Sequence, residues 1–244
     1  MLQIIFDLDD TLIITRHALI VARMQILHTY LKLINELDIQ LALNIWFRLS
    51  LYYDSENLEI ILPLISDELN LNQKFIRNDF IEIKNDYNNF EINNILLSKG
   101  ADDIIRTCEQ IGIPIAIYGN GNIEKQIKKL EKFPNLTSIL SKGLFVFADG
   151  INFPLKPNPA GLLYLINKVL RANGKTAYVG DKITDVMTAK NAKCIAIQIL
   201  SPSLTSKMPP NPLILKHEFA DFTFANLLQL HNILKDGYYE TFFN

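Results

Sequence analysis

The chain has 244 residues, 49% of them hydrophobic, enough to bury a full core in one large domain or in one domain that carries an insert. Its 24 basic and 26 acidic side chains nearly balance, so it lacks the basic excess that drives sequence-independent binding to nucleic acid. The two cysteines, Cys108 and Cys194, sit inside runs that read as helix and strand, which leaves no basis for a disulfide framework or a zinc cluster.

Leu2 to Phe6 is a short apolar run without alternation, the pattern of a strand covered on both faces in a parallel sheet. No basic stretch precedes this run and acids end it, so no secretory signal is expected and the cytoplasm is the expected compartment. From His17 to Asp38 the residues Ile20, Met24, Leu27, Leu31 and Ile34 recur at spacings of three and four, which predicts one long amphipathic helix. The stretch Leu41 to Tyr53 is too short to span a bilayer and carries Arg48, so a buried or interface helix is expected and no transmembrane segment. Another helix is predicted from an N-cap at Asn72 through Phe75, Phe80, Ile83 and Tyr87, with Pro63 punctuating the region before it. No strand pattern interrupts residues 15–98, which read as an all-helical block.

Beyond Gly100, helix and strand alternate. The expected order is a helix Ala101–Gln110, a strand Ile113–Tyr118, a basic helix Ile123–Lys132 and a strand pair within Leu144–Phe153. A helix Ala160–Ala172, a strand Thr176–Val179, a helix Ile183–Asn191 and a strand Cys194–Ile199 complete it. This order predicts an α/β fold: a Rossmann-like doubly wound parallel sheet whose first strand lies before the helical insert. The expected division is a core of residues 1–14 and 99–235, a helical cap of residues 15–98 and a C-terminal tail of residues 236–244.

Ligands of such sheets bind beyond the carboxyl ends of the strands. There the sequence places Asp7, Asp9, Asp10 and Thr11 after the first strand, Gly119-Asn120-Gly121-Asn122 after another, and Gly180-Asp181 with Asp185 after a third. Clustered carboxylates are unfavourable without a cation, and oxygen ligands suit a hard divalent ion, most plausibly Mg2+. Asp10 alone reads as a capping or turn residue. Asp7 and Asp9 are different, because residues two apart on an extended backbone face the same side and can reach one substrate.

The segments Asp7-Leu8-Asp9-Asp10-Thr11, Gly119-Asn120-Gly121-Asn122, Lys156-Pro157-Asn158-Pro159 and Gly180-Asp181-Lys182-Ile183-Thr184-Asp185 carry a resemblance. In order and spacing the chain resembles the haloacid dehalogenase superfamily, in its phosphatase branch with a helical C1-type cap, from residue 1 to about 230. The resemblance implies a Mg2+-dependent phosphatase in which Asp7 attacks phosphorus and forms an aspartyl-phosphate. Asp9 would serve as general acid and base, and Lys156 would balance the charge of nucleophile and phosphate. Asp7, the backbone carbonyl of Asp9, Asp181 and Asp185 would hold the metal. Thr11 would orient the loop or the phosphate, and Gly119, Asn120 and Gly121 would face the phosphate. The cap would close over the site and choose the substrate: a phosphorylated small molecule first, a phosphoprotein as the alternative.

Two positions depart from the family pattern. Gly119 stands where a serine or threonine hydroxyl normally meets the phosphoryl group, which implies a weaker but not silent enzyme unless nearby amides compensate. Lys193 replaces a common glycine before a strand, a matter of turn geometry. The competing reading is a non-catalytic binding module that uses Trp46 and its neighbours, or the tail residues Tyr238, Tyr239, Phe242 and Phe243, to hold a partner. The lysines at 125, 128, 129 and 132 are expected to form a solvated helix face, and His17 and His28 are assigned no ligand role.

Overall fold

In a computed structural model of the chain, residues 2–53, 58–71, 75, 77–168, 174–200 and 218–237 are described. Asn72 and the aromatic tail beginning at Tyr238 lie outside them. Close contacts divide the chain into two units, Met1–Ile14 with Leu96–Asn244, and Thr15–Ile95.

The first unit begins with β1 (Leu2–Phe6), fully buried, and a two-residue strand β2 (Ile13–Ile14). The second unit is helical, with α1 (Arg16–Leu31), α2 (Glu36–Tyr53), α3 (Leu58–Glu68) and α4 (Arg77–Asn94). The single long helix expected over residues 17–38 is therefore two. Lys32 adopts a left-handed conformation (φ 54°) and closes α1, while Ile34 is left exposed. The buried face of α1 is Ala18, Ala22, Ile26, Leu27 and Leu31, offset from the larger residues Ile20 and Met24 that set the sequence pattern. Small residues let helices approach closely, so alanines can line the contact face where hydropathy alone points elsewhere.

Within this unit the core gathers Ile26, Leu27, Trp46, Ile61, Leu62 and Ile83. Trp46 is fully buried and stacks on Tyr87 with ring centroids 5.9 Å apart, so it is a packing residue and not the partner contact that a binding module would need. Arg48 leaves the buried side of α2 and pairs with Glu68 at 2.7 Å.

The chain returns to the first unit through β3 (Leu96–Leu97), antiparallel to β2, which moves the boundary forward from residue 99 and puts a short ribbon at the root of the insert. The rest alternates: α5 (Ala101–Gln110), β4 (Ile115–Asn120), α6 (Ile123–Glu131), α7 (Pro134–Ser141), β5 (Phe145–Ala148), α8 (Ala160–Lys168), β6 (Lys175–Gly180), α9 (Ile183–Asn191), β7 (Ile195–Ile199), β8 (Phe222–Phe224) and α10 (Leu227–Lys235). The pair of strands expected within residues 144–153 is one strand. After it Asp149 accepts hydrogen bonds from the backbone N–H groups of Ile151 and Asn152 and turns the chain. The sheet is parallel, in the order β5-β4-β1-β6-β7-β8.

Strand order is what positions the site. β1 lies between β4 and β6, so the residues following Phe6, Tyr118 and Val179 emerge side by side at the carboxyl edge. One face of the sheet packs Ile5, Tyr118, Tyr178 and Ala196 against Leu162, Leu165 and Val186. Lys193 has φ 57°, so the position where glycine was expected does require the left-handed conformation.

Gly100 precedes α5 with φ 88°, and a Cβ there would lie 2.7 Å from the backbone nitrogen of Leu228. Both the positive φ and the close backbone exclude a side chain. Gly100→Ala is expected to lower stability by about 2 kcal/mol or more, read as a lower denaturation midpoint at unchanged slope.

Candidate active site

Asp7 leaves β1 with its backbone N–H donating to the Val179 carbonyl at 2.7 Å, one last bond of the sheet ladder. Leu8 then turns the chain, its carbonyl accepting from the N–H groups of Thr11, Leu12 and Ile13. Asp10 sits inside this turn in a left-handed conformation (φ 61°), and its N–H donates to Ile13 O, as its reading as a turn residue implied. The extended backbone assumed for Asp7 and Asp9 is thus a tight turn, and the two carboxylates have different partners.

Lys156 holds the first of them. Its Nζ lies 2.6 Å from Asp7 Oδ1 and 2.6 Å from Asp185 Oδ1, with all three side chains nearly free of solvent. Asp185 Oδ2 meanwhile accepts from the N–H of Lys182 at 2.9 Å, so one carboxylate both caps α9 and receives the lysine. This needs Gly180, because a Cβ there would lie 2.4 Å from Asp185 Cβ. The loop that presents Lys156 is pinned where the Lys156 N–H donates to Asn120 Oδ1 at 3.0 Å. Thr11 Oγ1 is 3.4 Å from Asp7 Oδ2, a long contact on the other oxygen.

Asp181, Asp7 and Asp185 each offer one carboxylate oxygen within 4.8 Å of the others, and all three are buried. Burial pushes the Asp181 carboxyl well above its ordinary range, and Asp185, Asp7 and Asp10 add to the rise against the pull of Lys182. Burial likewise raises Asp7 from an ordinary 3.8 to about 7, although Lys156 opposes the rise. Lys182 is held above its usual value: burial opposes its charge, but Asp181, Asp7, Asp10 and Asp185 outweigh it. The donor set is all carboxylate oxygen, hard and anionic, and fits a divalent cation of the Mg2+ type.

Asp9 is held elsewhere. Its Oδ1 accepts from Lys129 Nζ at 2.9 Å and its Oδ2 from Gln126 Nε2 at 2.7 Å, both donors on α6. Burial raises the Asp9 carboxyl, but Lys129 and Gln126 together bring it below its ordinary value. Lys129 therefore does not belong to a solvated face; it is 3% exposed, against an acid 120 positions away in sequence.

Of the residues expected to face the phosphate, Gly119 lies beside Asp7, since a Cβ there would be 3.5 Å from Asp7 Oδ1 and 3.4 Å from Phe147 Cδ1. Asn120 and Gly121 are otherwise engaged. Asn120 Oδ1 takes the Lys156 amide, its carbonyl takes Gln126 Nε2 at 2.9 Å, and the Gly121 N–H donates to Ala148 O at 2.9 Å. The Gly121 N–H is thus taken by the scaffold, while the two bonds of Asn120 engage its oxygens.

Sequence reasoning missed Lys129, Gln126 and Tyr178. The Tyr178 hydroxyl accepts from Lys156 Nζ at 3.1 Å and donates to Tyr118 O at 2.8 Å, and the two rings lie 5.7 and 5.8 Å from the ammonium. A tyrosine two places before Gly180 inside an apolar strand was the one available signal.

An aspartate-centred site at the carboxyl edge of a parallel sheet, with a helical insert after the first strand, defines a class of α/β hydrolases. The sequence profile described as haloacid dehalogenase-like hydrolase matches residues 4–199, and the chain belongs to that family. No curated protein matches the chain by sequence. Among solved structures, a Thermotoga maritima protein provisionally named a β-phosphoglucomutase is similar at 18% identity and TM-score 0.72, covering 97% of this chain and 99% of its own. A HAD-hydrolase of Bacillus subtilis solved with bound magnesium shares 18% identity at TM-score 0.65, over 95% of this chain and 97% of that one. A Haemophilus somnus protein provisionally named a phosphoglycolate phosphatase shares 19% identity at TM-score 0.62, over 95% and 96%. At these identities the likeness establishes the fold.

Mg2+ is expected to raise the melting temperature, by the equivalent of about 2.7 kcal/mol at a hundredfold excess over Kd. Asp181→Asn is expected to raise the melting temperature of the metal-free protein, by removing buried like charge, and to abolish the Mg2+ shift. A shift that survives Asp181→Asn would place the ion elsewhere.

Proposed function

We propose that the chain is a Mg2+-dependent phosphatase that hydrolyses phosphate monoesters in two steps through Asp7. The observation that carries this reading is the division of the two acids: Asp7 is held by Lys156 at 2.6 Å, while Asp9 is held separately by Lys129 and Gln126. A nucleophile and an acid–base group act on different atoms, and two neighbouring carboxylates can do so where different partners hold them apart; Lys156, with a bound cation, would favour the ionised form that attack by Asp7 needs.

In the first step Asp9, held as a carboxylate by Lys129 and Gln126, takes a proton from solvent as the ester binds; an oxygen of Asp7 attacks phosphorus, the ester P–O bond breaks, and the leaving oxygen takes that proton from Asp9. In the second, Asp9 takes a proton from water, the water oxygen attacks the phosphorus of the aspartyl-phosphate, and Asp7 is released with inorganic phosphate. Lys156 stays beside Asp7 throughout and offsets the charge gathered there. Asp7, Asp181, Asp185 and the backbone carbonyl of Asp9 would hold Mg2+, which when bound neutralises phosphoryl oxygens. Thr11 steadies the Asp7 oxygen that Lys156 does not hold.

We read the helical unit, Thr15–Ile95, as a cap of the C1 type that selects the substrate. Small phosphorylated metabolites are favoured over phosphoproteins, in keeping with the names carried by two of the structural relatives. The absence of a hydroxyl at Gly119 favours slow turnover but not its loss, because a single missing donor is worth ~10²- to 10³-fold in rate.

Hydrolysis of p-nitrophenyl phosphate should require Mg2+ and vanish in Asp7→Asn; turnover equal in the variant and the wild type would refute the reading. Gly119 has an ordinary backbone conformation and room for a Cβ. Gly119→Ser is therefore expected to fold normally and to raise kcat by ~10-fold or more. No gain in a folded variant would show that the site works without that donor.

A further inference from the structure

We infer that Lys129 and Gln126 are positioning residues for Asp9, a two-point clamp on α6 that fixes the plane of its carboxylate for proton transfer; this rests on the two-step reading above. Residues 126 and 129 are three apart on the helix and so share a face. Each gives one hydrogen bond, to a different oxygen of the same carboxylate, at 2.7 and 2.9 Å. One donor would leave the carboxylate free to turn about that bond. Two donors on two oxygens fix it, and each oxygen keeps a second lone pair that can carry the proton passed to the leaving group and then taken from water.

The clamp is itself anchored. Gln126 Nε2 has two hydrogens, and it donates both to Asp9 and, at 2.9 Å, to the carbonyl of Asn120. Asn120 in turn accepts the Lys156 N–H through its side chain, so the supports of the acid–base group and of the nucleophile's lysine meet at one residue of β4. The burial pattern points the same way. Gln126 is 4% and Lys129 3% exposed, whereas Lys128 and Lys132 of the same basic segment are exposed. An ammonium is not held out of water on a helix with solvent within reach unless a fixed anion meets it.

The clamp also separates functions. The three carboxylates grouped for a cation are Asp7, Asp181 and Asp185; the Asp9 side chain, tied to α6, is not among them. Asp9 thus keeps its oxygens for the proton, while its neighbours serve the metal and the phosphorus.

The test compares wild type, Lys129→Met, Lys129→Arg and Gln126→Leu, each also in an Asp9→Asn background. Two substrates are used with Mg2+: p-nitrophenyl phosphate, whose leaving group needs little protonation, and glycerol phosphate, whose alkoxide needs much. Lys129→Met should lower kcat on the alkyl ester by about tenfold more than on the aryl ester. Its KM should change by less than about twofold. Lys129→Arg should recover most of the alkyl activity, and in the Asp9→Asn background Lys129→Met should have no further effect. Equal losses on both esters that persist with Asp9→Asn would assign Lys129 to the fold alone, and a gain in kcat would make it a restraint; either overturns the inference. Should Lys129→Met fail to fold, Gln126→Leu carries the same comparison. A wild type inert on both esters would refute the two-step reading itself, and the clamp with it, an outcome distinct from a live enzyme indifferent to Lys129.

Discussion

The ammonium of Lys156, 2.6 Å from both Asp7 and Asp185, is the interaction on which the site depends. Removing that one charge would leave three buried carboxylates, Asp7, Asp181 and Asp185, facing each other at the edge of the sheet. Buried like charges of this kind are tolerated only where a cation sits among them. The fold goes to some length to keep the lysine in place. The Lys156 N–H donates to Asn120, its Nζ donates to the Tyr178 hydroxyl, and the rings of Tyr118 and Tyr178 line its approach. The Lys156 charge is thereby held well above its ordinary pKa: burial opposes it, but Asp185 and Asp7 prevail.

This arrangement explains why particular strands are central. Tyr118 and Tyr178 belong to β4 and β6, which flank β1, so the strands that position Asp7 also position the lysine paired with it. Asp185 completes the link. It caps α9 through Oδ2 and receives Lys156 through Oδ1, tying the start of a helix to a loop that precedes it by 29 residues. Gly180 is small because that carboxylate lies directly over it. Stability and chemistry share these contacts, and a change to either Asp185 or Gly180 alters both.

Much of this was legible in the sequence because it is local. Apolar runs of five or six residues followed by Asp, Gly or Asn mark strands and their carboxyl ends, and the alternation after Gly100 makes the sheet parallel. The helices Ala101–Gln110 and Ile183–Asn191 run over the residues expected. What escaped is tertiary. Lys129 is one of four lysines in one basic helical segment, and its partner is an aspartate 120 residues earlier. The hydroxyl of Tyr178 sits in a strand whose pattern speaks only of burial. The ribbon of β2 and β3 has two residues per strand, too few for any period to appear. In α1 the buried face is Ala18, Ala22, Ile26, Leu27 and Leu31 while Ile20 and Met24 are exposed, so a pattern that starts from the larger residues misplaces the first two turns.

The space over Gly119 shows how a family pattern can change without the site collapsing. On that side Asp7 meets no hydroxyl; the edge of Phe147 closes the wall instead, 3.4 Å from where a Cβ would be, and Phe147 is buried. An aromatic edge carries only weak positive charge and cannot replace an O–H donor. On the two-step reading proposed above, charge gathering on a phosphoryl group there would be met by Lys156, which holds the same Asp7 oxygen that Gly119 approaches, and by whatever cation the three carboxylates take. With one donor fewer, such a site would depend more steeply on its lysine. The bonds that fix Lys156 through Asn120, Tyr178 and Asp185 are the structural counterpart of that dependence.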